Sequence, residues 1–570
     1  MWCVNLVCVP LDADARLPMP PFPREAKKGG TIAPRIAYAS SMTRTTIVRP
    51  TDASLRSAVR LALLFFAIKL LIHIAATLWQ RHIGMGYFRD EFYYLMCGRH
   101  LAWGYVDHGP IVALQARIAE TVFGHSLLGI RILSAAAGAM RVFLTGLLCW
   151  SLGGKRSAQA LAMAAVLSVP LFLGIDGFLS MNSFESMFWM PCLLALIMIF
   201  RDEADGIDRR WMWWSLLGVS AGVGLLNKPS MLFFLISVGI ALLLTPQRRV
   251  LFTRHAAFGI GLLILIALPN VLWQVHNHWP TLEFLRNGRE QGKNIRLSPL
   301  AFVLNQIVVI GPWGAFVWLP GLVHLLRRQD RRWLGLTFLI LLVVMIALGA
   351  KDYYFAPIYP ILFAAGGVAW QTRFAQRKSV QRDSPLAFAV GIVTMIVGAA
   401  IVYPSAAPVL QPQTYWRYAK ALHLPDTETE NSARAPLPQF FADRYGWQEN
   451  VDEVTRIVNA LSPADRAKVG IFCGNYGQAA SLEWLGHGLP TVISEHNTYW
   501  LWGTRGLDGE VMIIDRKSSV ANIQKYYEEV QVVGRVDNPL SMPYERHDIY
   551  LARHRKMPLP PDWAESKIYY

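Results

Sequence analysis

Charge is what this sequence has least of. Charged residues make up 16% of its 570 residues, where a soluble globular protein carries roughly 25%. That shortfall excludes a string of ordinary soluble domains. Acid is the scarcer sign, with 39 Asp+Glu against 55 Lys+Arg and a formal net charge of +16. Cysteine is sparse too. Cys3, Cys8, Cys97, Cys149, Cys192 and Cys473 show no metal-ligand or redox spacing, so neither a disulfide framework nor a metal site is expected. At least Cys149 and Cys192 lie in apolar blocks, where a free Cys behaves as a small hydrophobe. No internal repeat is evident, which counts against a two-halved transporter. Residues 1–55 are Pro-rich and basic and lack the pattern of a signal peptide. They read as a disordered cytoplasmic tail, or as upstream sequence if the chain starts at Met42.

What the chain does have is apolar length. Hydrophobic residues reach 53%, with 20 Trp and a mean hydropathy of +0.30. They fall in blocks near 58–79, 129–151, 158–175, 184–200, 211–226, 231–245, 256–275, 300–325, 333–349, 354–371 and 386–404. A bilayer crossing needs about 20 such residues, so about eleven spans are expected over a transmembrane domain at 56–405. Basic residues collect in alternate short loops: Lys155 and Arg156, Arg209 and Arg210, Arg248 to Arg254, Arg327 to Arg332, and Arg373 to Lys378. This is the positive-inside signature and marks the cytoplasmic side. It also accounts for the net charge without nucleic acid as a partner. From 406 to 570 the apolar runs stop. Strand-like Val469-Gly-Ile-Phe and Val511-Met-Ile-Ile alternate with a helical stretch at 450–461, as in a small α/β domain. An odd span count from a cytoplasmic start places that domain outside the membrane.

The other set of loops carries different chemistry. Asp90 and Glu91 precede Phe92, Leu95, Met96 and Arg99 at helical spacing, as in a short interfacial helix lying apolar face down. Both acids suit the N-terminus of that helix, and Asp90 there is also placed to act as a general base. Asp107-His108-Gly109-Pro110 has turn composition, with His108 left over as a candidate. Asn182 and Glu185 share a helix face at the start of a span, which suits helix-end dressing or substrate contact equally. Arg131 and Lys228 sit at outer span ends, as snorkelling anchors or as phosphate ligands. Lys351-Asp352-Tyr353-Tyr354 could neutralise a phosphate leaving group or belong to an aromatic belt. Asn277-His278-Trp279, with Arg286, Arg289 and Lys293, forms a basic outer loop suited to head groups or substrate. Gly474-Asn475-Tyr476-Gly477 and His496-Asn497-Thr498-Tyr499-Trp500 are polar-aromatic clusters of the kind that stack on sugars.

The chain resembles glycosyltransferase family 39, the protein mannosyltransferase-like group with the GT-C fold, in a bacterial branch. The likeness runs from about Ser57 to Tyr403. It is carried by Asp90-Glu91-Phe92-Tyr93-Tyr94-Leu95, Gly104-Tyr105-Val106-Asp107-His108-Gly109-Pro110, Asn227-Lys228-Pro229 and Lys351-Asp352-Tyr353-Tyr354. The resemblance implies inverting transfer from a polyprenyl-phosphate sugar at a membrane, with no metal and no cofactor. It implies Asp90 as general base, Glu91 as its partner in positioning the acceptor, and Lys351, Tyr353 and Arg131 at the donor phosphate. Asp107, His108, Asn182, Glu185, Lys228 and His278 complete the expected substrate-contacting set. The loop near 276–298 is short where eukaryotic protein mannosyltransferases carry a large luminal insertion, so glycan, lipid and protein acceptors all stay open. The competing class is a transporter or flippase of lipid-linked sugars, whose charges should lie near the bilayer midplane on broken helices.

Overall fold

A computed structural model describes residues 52–293, 295–376, 385–424 and 434–570. The tail expected over 1–55 and the alternative start at Met42 fall outside these residues, except that the first helix already begins at Asp52. The helices are α1 (Asp52–His82), α2 (Arg89–Arg99), α3 (Pro110–Phe123), α4 (Leu127–Ser151), α5 (Arg156–Leu167), α6 (Pro170–Ile175), α7 (Met181–Asp205) and α8 (Arg210–Asn227). They continue with α9 (Ser230–Leu243), α10 (Arg254–His276), α11 (Pro280–Glu290), α12 (Pro299–Ile310), α13 (Ala315–Arg327), α14 (Arg332–Leu348), α15 (Tyr359–Ala375) and α16 (Pro385–Ala406).

Each of the eleven apolar blocks is helical, but not each is a full span. Among the described residues five helices (α1, α4, α7, α10 and α16) are long and apolar enough to cross a membrane, or up to seven if each bent pair counts once. The expected eleven is not reached. A helix such as α14, 17 residues long, stands at the lower limit of about 17 residues for a bilayer crossing. The long helices nevertheless make the chain an integral membrane protein. Helices α4 and α7 form the middle of the bundle, whereas α10 and α16 keep most of their surface free for lipid.

Small residues let helices approach closely. A Cβ at Gly321 would lie 2.0 Å from the Leu362 carbonyl oxygen, and one at Gly366 would lie 2.0 Å from that of Val317. Glycine at both places therefore sets the α13–α15 distance. One charged knot is buried in the bundle. Asp176 receives Arg141 at 2.9 Å and Lys69 at 3.1 Å, and Lys69 also donates to the Phe172 carbonyl at 3.0 Å.

The C-terminal part has α17 (Pro412–Ala421), α18 (Gln439–Ala442), α19 (Trp447–Ala460), α20 (Pro463–Lys468), α21 (Tyr476–Leu485) and α22 (Thr498–Leu501). Its strands are β1 (Val469–Cys473), β2 (Val492–Ser494), β3 (Val511–Asp515), β4 (Tyr527–Val536) and β5 (His547–Arg555). They make one sheet in the order β2-β1-β3-β5-β4, with β1 parallel to β2 and β3, and β5 antiparallel to β3 and β4. Strands β1 and β3 and helix α19 lie where the alternation and periodicity of the sequence place them.

Behind the sheet His547 Nε2 meets Asp515 Oδ1 at 2.7 Å, and Asn450 donates to Asp515 Oδ2 at 2.9 Å. Burial alone would push the His547 pKa down, but the hydrogen bond and charge of Asp515, with Glu545, raise it. A raised folded pKa stabilises the fold fully below the unfolded value of about 6.5, and that stability is lost as pH rises through the folded pKa. The difference in thermal unfolding temperature between wild type and His547→Gln should therefore be largest at about pH 6 and shrink as pH rises.

Candidate active site

The site is built on α2. Phe88 is its N-cap, Arg89 and Asp90 follow, and Glu91 occupies the third helical position. The Phe88 N–H donates to Glu91 Oε2 at 2.8 Å, closing half of a capping box. The capping role open to both acids thus belongs to Glu91. Its carboxylate also accepts the Leu179 N–H at 2.9 Å and both arms of Arg131 at 2.7 and 2.6 Å. Burial would raise the Glu91 pKa, but Arg131 more than compensates and holds it below the ordinary carboxylate range. Glu91 is 0% and Arg131 1% exposed. Arg131 spends its remaining donors on Gln80 Oε1 at 2.8 Å and the Gly86 carbonyl at 3.2 Å. The structure therefore places Glu91 and Arg131, expected at acceptor and phosphate, in a buried ion pair with each other.

Asp90, one residue earlier, faces the other way. Its side chain is 31% exposed, and Oδ1 accepts the Tyr476 phenol at 2.8 Å. Oδ2 carries no hydrogen bond among the described residues. Tyr476 comes from the first turn of α21 and stacks on Tyr93 of α2 at 4.5 Å. In the same interface Phe92 meets Trp447 edge-on at 5.7 Å, and Glu91 to Gly98 are buried throughout. The expectation of an interfacial helix with one apolar face down is corrected. Helix α2 is covered by α3 on one side and by α21 of the C-terminal domain on the other, so its aromatic residues are buried against protein.

The turn after α2 is held by the same domain. Asp107 accepts the Tyr93 phenol at 2.7 Å and the Asn497 amide at 3.4 Å, while Thr498 Oγ1 lies 2.6 Å from Tyr93 Oη. Burial pushes the Asp107 carboxyl up. His108 is buried, stacks on Tyr105 at 4.6 Å and meets the Gly109 carbonyl through Nδ1 at 2.8 Å. Burial pushes its pKa down. A Cβ at Gly109 would come 2.0 Å from the Leu226 carbonyl oxygen, so this turn packs directly against the end of α8 that carries Lys228.

Lys228 gathers the next cluster. Its ammonium donates to Asn182 Oδ1 at 2.8 Å and Glu185 Oε2 at 3.2 Å. It also sits 3.7 Å from the centre of the Tyr354 ring and 5.9 Å from that of Tyr353. Ser230 donates to the other oxygen of Glu185. Asn182 and Glu185 thus share a partner, as their three-residue spacing foresees. Asp352, hydrogen-bonded by Asn305, starts a short 3₁₀ segment (Asp352–Ile358) that fixes Tyr353 and Tyr354, with Lys351 half-buried as its N-cap.

Tyr94, buried on α2, meets His108 edge-on at 5.1 Å. Burial, then the charges of Asp90, Asp107, Cys97 and Tyr354, push its pKa well above the ordinary phenol range. Asp90, Asp107, His108, Asn182, Glu185, Lys228 and the 351–354 segment converge on one end of the bundle. His278 does not join them; it stays exposed in the turn before α11 with φ of 62°. Sequence reasoning missed Tyr476 as the residue that holds Asp90. The only signal was the aromatic-polar composition of 474–477 and 496–500, and both segments prove to contact α2 or the turn that follows it.

Tyr476→Phe should keep the ring stack and remove one donor to a carboxylate, a bond of about 1.5–3 kcal/mol. The expected result in a turnover assay is a kcat lower by about tenfold, with thermal stability and donor KM little changed.

Residues 107–273 match the family model described as dolichyl-phosphate-mannose-protein mannosyltransferase. The lipid A galacturonosyltransferase RgtD of Rhizobium johnstonii is 26% identical over 303 residues, covering 50% of this chain and 61% of that protein. The undecaprenyl phosphate-alpha-4-amino-4-deoxy-L-arabinose arabinosyl transferase 1 of Pseudomonas fluorescens is 29% identical over 170 residues, 30% of this chain and 29% of that protein. The chain thus spans under two thirds of the length of either relative. In fold it is similar to ArnT from Cupriavidus metallidurans, with a TM-score of 0.55 at 15% identity over 86% of this chain and 97% of that one. The resemblance to bacterial GT-C glycosyltransferases read from the motifs is borne out.

Proposed function

We propose that this chain, related to the bacterial GT-C glycosyltransferases, transfers a sugar from a polyprenyl-phosphate donor to an acceptor hydroxyl or oxyanion at the membrane surface. The observation that carries the reading is Asp90: one carboxylate oxygen is fixed by Tyr476 and the other is open, at the end of the bundle where Lys228 lies 3.7 Å from the centre of the Tyr354 ring. The two curated relatives, named for lipid A and for an undecaprenyl-phosphate-linked sugar, support the donor class.

For a hydroxyl acceptor, Asp90 takes the proton as the acceptor oxygen attacks the anomeric carbon. The bond from that carbon to the phosphate oxygen breaks, and polyprenyl phosphate leaves with its electron pair. Attack opposite the leaving group inverts the anomeric centre. Lys351 and Tyr353 stabilise the charge developing on the phosphate. Lys228, already neutralised by Glu185, instead holds Tyr354 and Asn182 in place. The reaction as written draws on donor, acceptor and side chains alone. The site lies on the extracytoplasmic face of the inner membrane, opposite the Arg-rich loops, and the C-terminal domain lies with it.

The test is release of polyprenyl phosphate from a panel of polyprenyl-phosphate sugars by the purified protein in detergent. Release that depends on Asp90 is the expected result. No release from any donor by folded protein would overturn the reading and favour transport of lipid-linked sugars. Lys351→Ala should raise the donor KM about tenfold, the loss of a single charge-assisted contact, with the acceptor KM little changed. An unchanged donor KM would make Lys351 a membrane anchor only.

A further inference from the structure

A crevice walled largely by the C-terminal domain opens at Arg89, the residue before Asp90. It has a volume of about 460 Å³ and is lined by four cations, Arg89, Lys293, Arg516 and Lys517, with no Asp or Glu in its wall among the described residues. Part of this charge is answered nearby. Arg516 pairs with Glu495 at 3.0 Å, and Arg89 approaches Asp443 at 4.0 Å and Asp90 at 3.8 Å. Exposed Lys517 has no such partner among the described residues. His496, also in the wall, adds no charge, because burial drives its pKa down to about 3.

The position of the opening is a second and independent observation. Strand β1 lies between β2 and β3, parallel to both, so the chain leaves β1 in one direction for β2 and returns on its other side for β3. In open α/β sheets ligands bind in the crevice outside the carboxyl ends of the strands at such a switch point. Gly474 and Asn475 follow β1, Arg516 and Lys517 follow β3, and all four line the opening. The volume falls within the range of about 300–1,000 Å³ typical of small-ligand pockets, and the Tyr544 and Tyr570 rings in the wall offer faces to a sugar.

We propose that this crevice is the acceptor subsite and takes a saccharide bearing an oxyanion, a phosphate or carboxylate, held by Arg516 and Lys517 with Arg89 as its floor. The proposal rests on the transferase reading and adds the acceptor class to it. Arg89 precedes Asp90 on α2 and its Nε lies 3.8 Å from Asp90 Oδ1, so a sugar anchored on Arg89 sits next to the Asp90 carboxylate. Every wall residue but Arg89, Gln291 and Lys293 comes from the C-terminal domain, which gives that domain a role beyond covering α2.

The test is calorimetric titration of the full chain in nanodiscs with glucuronate, glucose and inorganic phosphate, for wild type, Lys517→Gln, the double variant Arg516→Gln/Lys517→Gln, and Asp90→Asn. Glucuronate should bind wild type, weaken as salt rises, and lose at least tenfold in affinity in the double variant. Exposed Lys517→Gln, which leaves the Arg516–Glu495 pair intact, should lose several-fold. Glucose should not bind. Asp90→Asn, which removes a carboxylate 3.8 Å from Arg89, should bind glucuronate no more weakly than wild type, so loss of turnover in that variant reports on the reaction and loss of binding reports on the crevice. Glucose binding as tightly as glucuronate, or glucuronate binding unmoved by the double substitution, would overturn the proposal. Inorganic phosphate binding as tightly as glucuronate would overturn its saccharide part.

Discussion

Asp90→Asn should abolish sugar transfer while leaving the protein folded. The amide is isosteric with the carboxylate, and its oxygen can still accept the Tyr476 phenol now held at 2.8 Å, so the contact between α2 and α21 survives. What is lost is the open basic oxygen. Removing a positioned general base costs about 10²–10⁴ in rate. Release of polyprenyl phosphate should fall by at least a hundredfold, with the thermal unfolding temperature moving little. Turnover above a tenth of wild type would remove Asp90 from the reaction and leave it as a contact to the C-terminal domain.

Arg131→Met should do the opposite, destabilising the protein before any question of rate arises. Glu91 would keep its full burial and lose the guanidinium that contacts it at 2.6 and 2.7 Å. Breaking a buried pair on one side costs roughly 3–5 kcal/mol, whereas replacing both partners by apolar groups is often neutral. The double variant Arg131→Met/Glu91→Leu should therefore recover most of the lost thermal stability. Normal stability in the single variant with a raised donor KM would instead restore Arg131 to the phosphate, the role its place at an outer span end implies.

The sign of the Glu91 shift gives this pair a pH signature. Its folded pKa lies below the unfolded carboxylate value of about 4.3. The contribution is therefore present above about pH 4.3 and lost as pH falls through the folded value. The acid limb of stability should flatten in the double variant.

Adjacent acids in one motif thus have unrelated partners, Arg131 for Glu91 and Tyr476 for Asp90, and the sequence offers no means of separating them. Position on a helix does: the third helical residue reaches back to the N-cap, the second does not. The count of eleven spans is not confirmed, for a related reason. Apolar composition marks what is buried away from water but does not distinguish burial in lipid from burial against other helices, so short apolar helices such as α5 and α14 read like the long ones. His278 was grouped by residue type with loops that carry the site, yet its turn faces solvent.

Composition and periodicity by themselves determined that the chain is a helical membrane protein with a terminal α/β domain. Both depend on local chemistry, the free energy of taking apolar residues out of water and the alternation of strands. The motifs determined the family likeness, because Asp90, Asp107, Lys228 and Lys351 keep their neighbours in the chain. Tertiary structure alone decided which of these residues meet. It put Tyr476, 386 positions away in sequence, on Asp90. It closed Glu91 upon Arg131, and it laid four cations from three separate segments around one crevice. Such contacts are fixed by the packing of whole helices against a sheet, and no sequence window contains both partners.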